Sequence, residues 1–178
     1  MGRSEWSFSF GVEQRESVCE GQQVMDGLAI RLAEAGDISE LAKLRATLWP
    51  ESSAEEHAAE LKEIVAGRVP GILPMVAFVA AEGGGKLVGF VEVGLRSHAD
   101  GCDWTRPVGY VEGWFVSEEV RRRGIGTALL KTAEDWARGQ GCREMAWDTQ
   151  MHNVTSQRVH EALGFEVAER AVLYRKTL

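Results

Sequence analysis

The chain lacks any apolar run approaching the roughly 20 residues that a membrane-spanning helix requires. Residues Met1 to Phe10 also lack the continuous apolar stretch of a secretion signal. Trp6 stands where N-myristoylation needs Ser or Thr. These absences point to a cytoplasmic protein without a membrane partner. Cysteine is scarce and odd in number. Cys19, Cys102 and Cys142 are scattered, which argues against a disulfide framework and offers no metal-ligand spacing, so no metal is expected. Positive charge is in deficit: 20 Lys and Arg stand against 27 Asp and Glu, a formal net charge of −7. A sequence-independent nucleic-acid binder needs a basic face, so no nucleic-acid partner is expected. An acidic cleft instead attracts a small cationic ligand at long range.

What the chain does have is size enough for one packed domain: 178 residues, 44% of them hydrophobic. Residues 1–27 mix Ser, Glu, Gln and Gly without a sustained period and read as an N-terminal arm, with Met25 an alternative start. The domain is expected over 28–178. A strand is expected near Leu28 to Leu32. Asp37 and Glu40 have the spacing of a capping box, and Ile38, Leu41, Leu44, Arg45 and Leu48 follow at helical spacing. Trp49-Pro50 ends that helix. Ser53 or its neighbours cap a second helix through about Ala66. Gly67, Pro70, Gly71 and Pro74 mark a loop.

Met75 to Ala81 and Leu87 to Leu95 read as strands joined by a turn at Glu82-Gly83-Gly84-Gly85-Lys86. After a loop from Arg96 to Pro107, Val108 to Val116 reads as a strand. A helix follows, with Ile125, Leu129, Thr132, Ala133, Trp136 and Ala137 on one face. Arg143 to Trp147 reads as a strand, Asn153 caps a fourth helix through Leu163, and Gly164-Phe165 leads into final strands ending near Thr177. The fold class is α/β, a sandwich around a mixed sheet and not a doubly wound dinucleotide fold.

The chemistry concentrates at Arg121-Arg122-Arg123-Gly124-Ile125-Gly126, between a strand and a long helix. A basic, glycine-bearing turn that opens a helix is an anion cradle. Its N–H groups converge, the helix dipole favours negative charge, and glycine lets the main chain come close. A phosphate or pyrophosphate of a cofactor is the expected guest. The turn lacks the Gly-Lys-Ser/Thr ending of a P-loop, and the preceding strands make no βαβ opening.

This strand–Arg121-x-x-Gly124-x-Gly126–helix unit, with Asn153 and Leu163-Gly164-Phe165 downstream, resembles the GNAT acetyltransferase superfamily from about Ala29 to Leu178. The resemblance implies the GNAT fold, a mixed and mostly antiparallel central sheet with helices on both faces, and acetyl-CoA as co-substrate. It places Arg122, Arg123, Gly124, Ile125, Gly126 and Thr127 on the pyrophosphate. Trp114, Phe115 and Val116 pair by backbone with the pantetheine arm, and Asn153 meets that arm from the facing helix. An N–H near Phe115 or Val116 polarises the thioester carbonyl.

A closer resemblance is to the dimeric subgroup of aminoglycoside 6′-N-acetyltransferases. It is carried by Leu48-Trp49-Pro50, Glu112-Gly113-x-Phe115-Val116, Gly141-Cys142-Arg143-Glu144-Met145-Ala146, Asp148-Thr149 and Ser156-Gln157-x-Val159-His160-x-Ala162-Leu163-Gly164-Phe165. It implies a homodimer that transfers acetyl to an aminoglycoside's 6′-amine. Trp49, Glu112, Asp148 and Glu169 then bind the antibiotic, and the loop near His98 closes over it. Carboxylates suit the substrate's ammonium groups, and an indole suits a sugar ring or an ammonium. Glu112 and Asp148 are the candidate bases. Many GNAT enzymes carry a tyrosine acid seven residues after the asparagine; here that position is His160, a candidate acid.

Each residue also has a plainer role. Glu112 and Glu169 fit outward-facing strand charges, Asp148 a turn cap, Trp49 a core residue and His160 a helix-packing residue. Other activities consistent with the motif are acetylation of a polyamine or peptide amine, and non-catalytic sensing of acyl-CoA.

Overall fold

In a computed structural model the described residues are 23–25, 27–68 and 73–177. The arm over 1–22 and the turn at Pro70-Gly71 lie outside them. Among the described residues six strands form one sheet in chain order: β1 (Gln23–Met25), β2 (Leu28–Leu32), β3 (Met75–Glu82), β4 (Leu87–Arg96), β5 (Val108–Val116) and β6 (Met145–Trp147). β1 to β5 pair antiparallel. β5 and β6 run parallel, because the chain returns through a crossover helix. The sheet is therefore mixed and mostly antiparallel, as expected.

Among the same residues four α-helices flank it: α1 (Ile38–Leu48), α2 (Ala54–Ala66), α3 (Ile125–Gly139) and α4 (Val154–Ala162). Strand alternation splits the core in two. On one face Val88, Val91, Val93, Val111 and Val116 pack with Leu129, Ala133 and Trp136 of α3. On the other, Val79, Leu87 and Phe90 pack with Leu41 of α1 and Leu61 of α2. Ser53 caps α2 by accepting from the Glu56 N–H, and Glu56 answers at the Ser53 N–H. Asn153 Oδ1 caps α4 by accepting from the Ser156 N–H at 3.0 Å.

Three expectations need correction. Gln23–Met25 lies within the segment read as an arm, yet it pairs with β2; three residues are too short a run for periodicity to register. Asp37 makes no box with Glu40. Arg31 on β2 claims its carboxylate at 2.6 and 2.8 Å, and the Glu34 N–H donates to it at 2.8 Å. Asp37 thus closes a short 3-10 turn, Ala35–Asp37, ahead of α1. The final strands are absent: residues 165–177 run without strand pairing. Alternating apolar residues make a strand only where an edge accepts their hydrogen bonds, and this segment is exposed from Glu166 onward.

Candidate active site

The site begins where the sheet forks. β5 pairs with β6 only over Gly109–Val111 against Met145–Trp147. β5 then continues to Val116 while β6 has ended, so the β6-facing backbone groups of 112–116 lie beyond the last β5–β6 pair. An extended amide-bearing ligand can satisfy such an edge as an added strand.

On its other edge β5 bulges. Glu92 pairs with Gly113 and Val93 with Val111, which makes Glu112 the extra residue. A bulge re-aims side chains. Here Glu112 meets Arg96, while Gly113 lies directly beneath the Trp49 indole, where a Cβ would overlap the ring.

The glycine turn follows β5. Arg122 takes a left-handed φ of 62°, and Gly124, which precedes α3, one of 80°. The first helical bond runs from the Ala128 N–H to the Gly124 carbonyl. The N–H groups of the first turn have no intrahelical acceptor, and alternating left-handed residues curve such amides into an anion-binding concavity. Gly126 is needed for another reason: Trp114 of β5 lies against its Cα and donates Nε1–H to its carbonyl at 3.0 Å. Arg121 donates to the Val116 carbonyl at 2.9 Å and pairs with Glu118. Its guanidinium holds the turn, whereas Arg122, Arg123 and Thr127 are exposed. The turn fits a pyrophosphate, and the fork fits the amide arm of coenzyme A.

Beside the fork lies a depression of ≈ 900 Å³, lined by Arg96, His98, Tyr110, Asp148, His160 and Glu169 among others. The Arg96 guanidinium donates to both Glu112 oxygens, at 3.1 and 2.9 Å, and lies 3.2 Å from the centroid of the Tyr110 ring. The Tyr110 hydroxyl donates to Asp148 Oδ1. Burial, then this bond to Asp148, pushes the phenol well above its usual range. Glu112 and Asp148 are thus linked through Arg96 and Tyr110. His98 sits on the loop, with Nδ1 3.2 Å from Ser97 Oγ.

His160 is buried, with its ring centroid 4.0 Å from that of Trp147 and 6.0 Å from that of Phe165. Burial lowers its pKa, partly offset by Asp148, which favours the neutral ring. Trp49 does not line the depression. It lies over Gly113 of β5 and takes the Arg45 guanidinium 5.1 Å from its ring centroid. Asn153 spends its side-chain oxygen as the α4 cap. Phe115 stacks on Phe90, with ring centroids 6.1 Å apart.

The residues missed from sequence are Arg96, Tyr110, Glu92 and Arg45. Tyr110 was legible, since it stands two residues before Glu112 and strand alternation puts the two on one face. Glu92, a charge inside the apolar run of β4, carried the same signal as Glu112. It is 1% exposed, and Arg45 Nε lies 3.3 Å from its Oε1. Burial drives its pKa up to about 7 despite Arg45. Among the described residues no group of His, Cys, Asp and Glu is arranged to hold a metal, and no helix is long and apolar enough to cross a membrane. Burial raises the thiol pKa of Cys102 and of Cys142, the opposite of what a nucleophilic cysteine needs.

A sheet forked beside a glycine turn that opens a helix, with an acidic depression at the fork, is the arrangement of an acetyl-CoA-dependent acetyltransferase. The chain belongs to the acetyltransferase (GNAT) family, which it matches over residues 38–165. Two relatives are each named aminoglycoside N(6′)-acetyltransferase type 1. The one from Serratia marcescens is 44% identical over 136 residues, 76% of this chain and 89% of its own. The one from Klebsiella aerogenes is 38% identical over 149 residues, 84% and 96% of the two chains. The solved structure of AAC(6′)-Iy in complex with the bisubstrate analogue CoA-S-monomethyl-acetylneamine superposes with a TM-score of 0.75 at 36% identity. It covers 85% of this chain and 99% of that one.

Proposed function

We propose that the protein transfers the acetyl group of acetyl-CoA to the 6′-amine of an aminoglycoside, conferring resistance to that class of antibiotic. The observation that carries this is the junction of the β5 fork with a depression bearing Asp148 and Glu169. The names of relatives that cover most of the chain support the substrate class.

Residues 122–127 hold the diphosphate by main-chain N–H groups. The edge of Trp114 to Val116 takes the pantetheine amides, and Asn153 offers its amide NH₂ from α4. An N–H near Phe115 or Val116 stabilises the oxyanion. Trp49, Glu112, Asp148 and Glu169 bind the polyamine, with the His98 loop over it. Asp148, directly or through a water, accepts the proton that the ammonium must lose. The amine lone pair then forms the C–N bond, the C–S bond breaks, and the thiolate leaves. A thiol of pKa about 8.5 leaves without an acid. The neutral, stacked His160 holds Trp147 beside the fork more readily than it protonates sulfur.

We place the reaction in the cytoplasm; the free thiols of Cys102 and Cys142 suit a reducing compartment. The protein acts as a homodimer. The outer edge of β6 is unpaired among the described residues, and Val172, Leu173 and Tyr174 are 75%, 94% and 93% exposed. A second copy covers them.

Thiol release from acetyl-CoA tests the reaction. It rises on adding kanamycin or tobramycin, and Asp148→Asn lowers kcat about a hundredfold or more, the scale of a lost general base, while acetyl-CoA affinity stays near wild type. Flat release with both antibiotics would remove the substrate assignment.

A further inference from the structure

An acidic site that binds polyamines faces a contradiction of its own making. Carboxylates that attract ammonium groups also hold the proton on the amine that must attack, because a nearby negative charge raises an amine's pKa. The depression contains a group that counters this. Arg96, the last residue of β4, closes both of its contacts on β5, with Glu112 in a two-point ion pair and with the face of Tyr110. The guanidinium is only half-buried and faces the same depression as Asp148.

Other charged or titratable groups surround it on every side. Tyr110 and Glu112 come from β5, Asp148 follows β6, and His160 faces in from α4. Glu169 approaches from the C-terminal segment and His98 from the loop. Glu92, on the same strand, lies close enough to Glu112 for their charges to interact. Arg138, Arg143 and Arg170 also line the depression, as do Asp100, Glu134, Glu144, Glu161 and Glu166. Arg96 is the cation that bonds Glu112 directly and lies on the ring of Tyr110, the partner of Asp148.

We propose that Arg96 tunes the protonation of the acceptor amine. By pairing with Glu112 it offsets that carboxylate's charge while leaving its oxygens able to accept from the substrate, so that the ammonium can pass its proton to Asp148 near neutral pH. Arg96 is a positioning residue with an electrostatic task. It touches Glu112 and Tyr110, and it acts on the substrate through the charge it cancels. This inference rests on the aminoglycoside reading above.

The test is the pH profile of kcat and KM for kanamycin between pH 6 and 9, with acetyl-CoA saturating. Arg96→Gln frees the Glu112 carboxylate. KM at pH 7 falls severalfold, kcat at pH 7 falls, and the apparent pKa of the kcat profile rises by about one unit, the size expected when a charge appears a few ångströms away. Arg96→Lys keeps the charge and leaves the profile near wild type. The double variant Arg96→Gln/Glu112→Gln removes the freed carboxylate and returns the apparent pKa to within about half a unit. Apparent pKa and KM do not depend on the fraction of protein that folds, so a weakly folding variant still reports.

An unchanged pKa in Arg96→Gln, or a KM that rises, would overturn the proposal and leave Arg96 a structural tie. Failure of the double variant to restore the profile would overturn it as well. Absence of turnover by the wild-type enzyme with kanamycin is a different result, because it removes the substrate reading itself.

Discussion

Glu92 shows what a single buried charge does to the fold. Its carboxylate is 1% exposed and neither oxygen has a well-formed hydrogen bond. Arg45, the nearby cation, is shared with Glu60, whose Oε2 is 3.0 Å from Arg45 Nη2. Because burial raises the folded pKa to about 7 from an ordinary 4.5, the folded state binds the proton more tightly than the unfolded chain. Stability is therefore fully present at low pH and is lost as pH climbs from 4.5 through 7. Glu92→Gln abolishes that loss. Its stability relative to wild type improves between pH 5 and pH 8, by an amount on the order of 2 kcal/mol. Thermal melts of both proteins at the two pH values check this, and an equal difference at each would show that Arg45 fully compensates the charge. Glu92 was visible as a charge in an apolar strand. Its partner was not, because Arg45 reaches it from α1 only after the helix docks on the sheet.

Elements meet most closely where β5 hands over to α3. The indole of Trp114 fills the space above Gly126 and donates to its carbonyl, so the strand's own side chain sets the position of the anion-binding turn. Gly126→Ala places a methyl group inside that ring. Overpacking of this kind costs about 1–3 kcal/mol, and because the indole is tied to the Gly126 carbonyl, relief is expected to shift the turn away from β5. Calorimetry with acetyl-CoA is expected to show binding at least about tenfold weaker, since 1.4 kcal/mol is a factor of ten. Unchanged affinity would mean that Trp114 swings aside without moving the turn. The glycines themselves were legible from spacing. Their separate tasks were not: Gly124 supplies a left-handed φ of 80°, whereas Gly126 makes room for an indole twelve residues earlier in the chain.

For the whole molecule the open question is what covers residues 165–177. From Glu166 onward their apolar side chains are exposed, and they form no strand with this chain's own sheet. In the homodimer proposed here, Leu173→Asp with Tyr174→Asp buries two charges at the contact, and an unpaired buried charge is strongly disfavoured. Wild-type protein is expected to sediment as a dimer and the doubly substituted protein as a monomer. A monomeric wild type at micromolar concentration would sink the homodimer. The negative net charge acts at this scale too. It draws a polycation toward the protein, so KM for the antibiotic is steeply salt-dependent.

Local chemistry settles locally. Helix spacing from Ile38 and from Ile125, the Ser53 and Asn153 caps, the β3–β4 hairpin and the glycine turn depend on neighbours a few residues apart, and the sequence by itself determined them. So did the family, because its motifs join backbone demands to fixed spacing. Long-range pairing decided the rest. That Arg31 would take Asp37 from its cap, that a bulge would set Glu112 against Arg96, and that the last thirteen described residues would find no edge in this chain all depend on which surfaces dock. Hydrogen-bonding groups compete for partners across the whole fold, and only tertiary structure shows which partner wins.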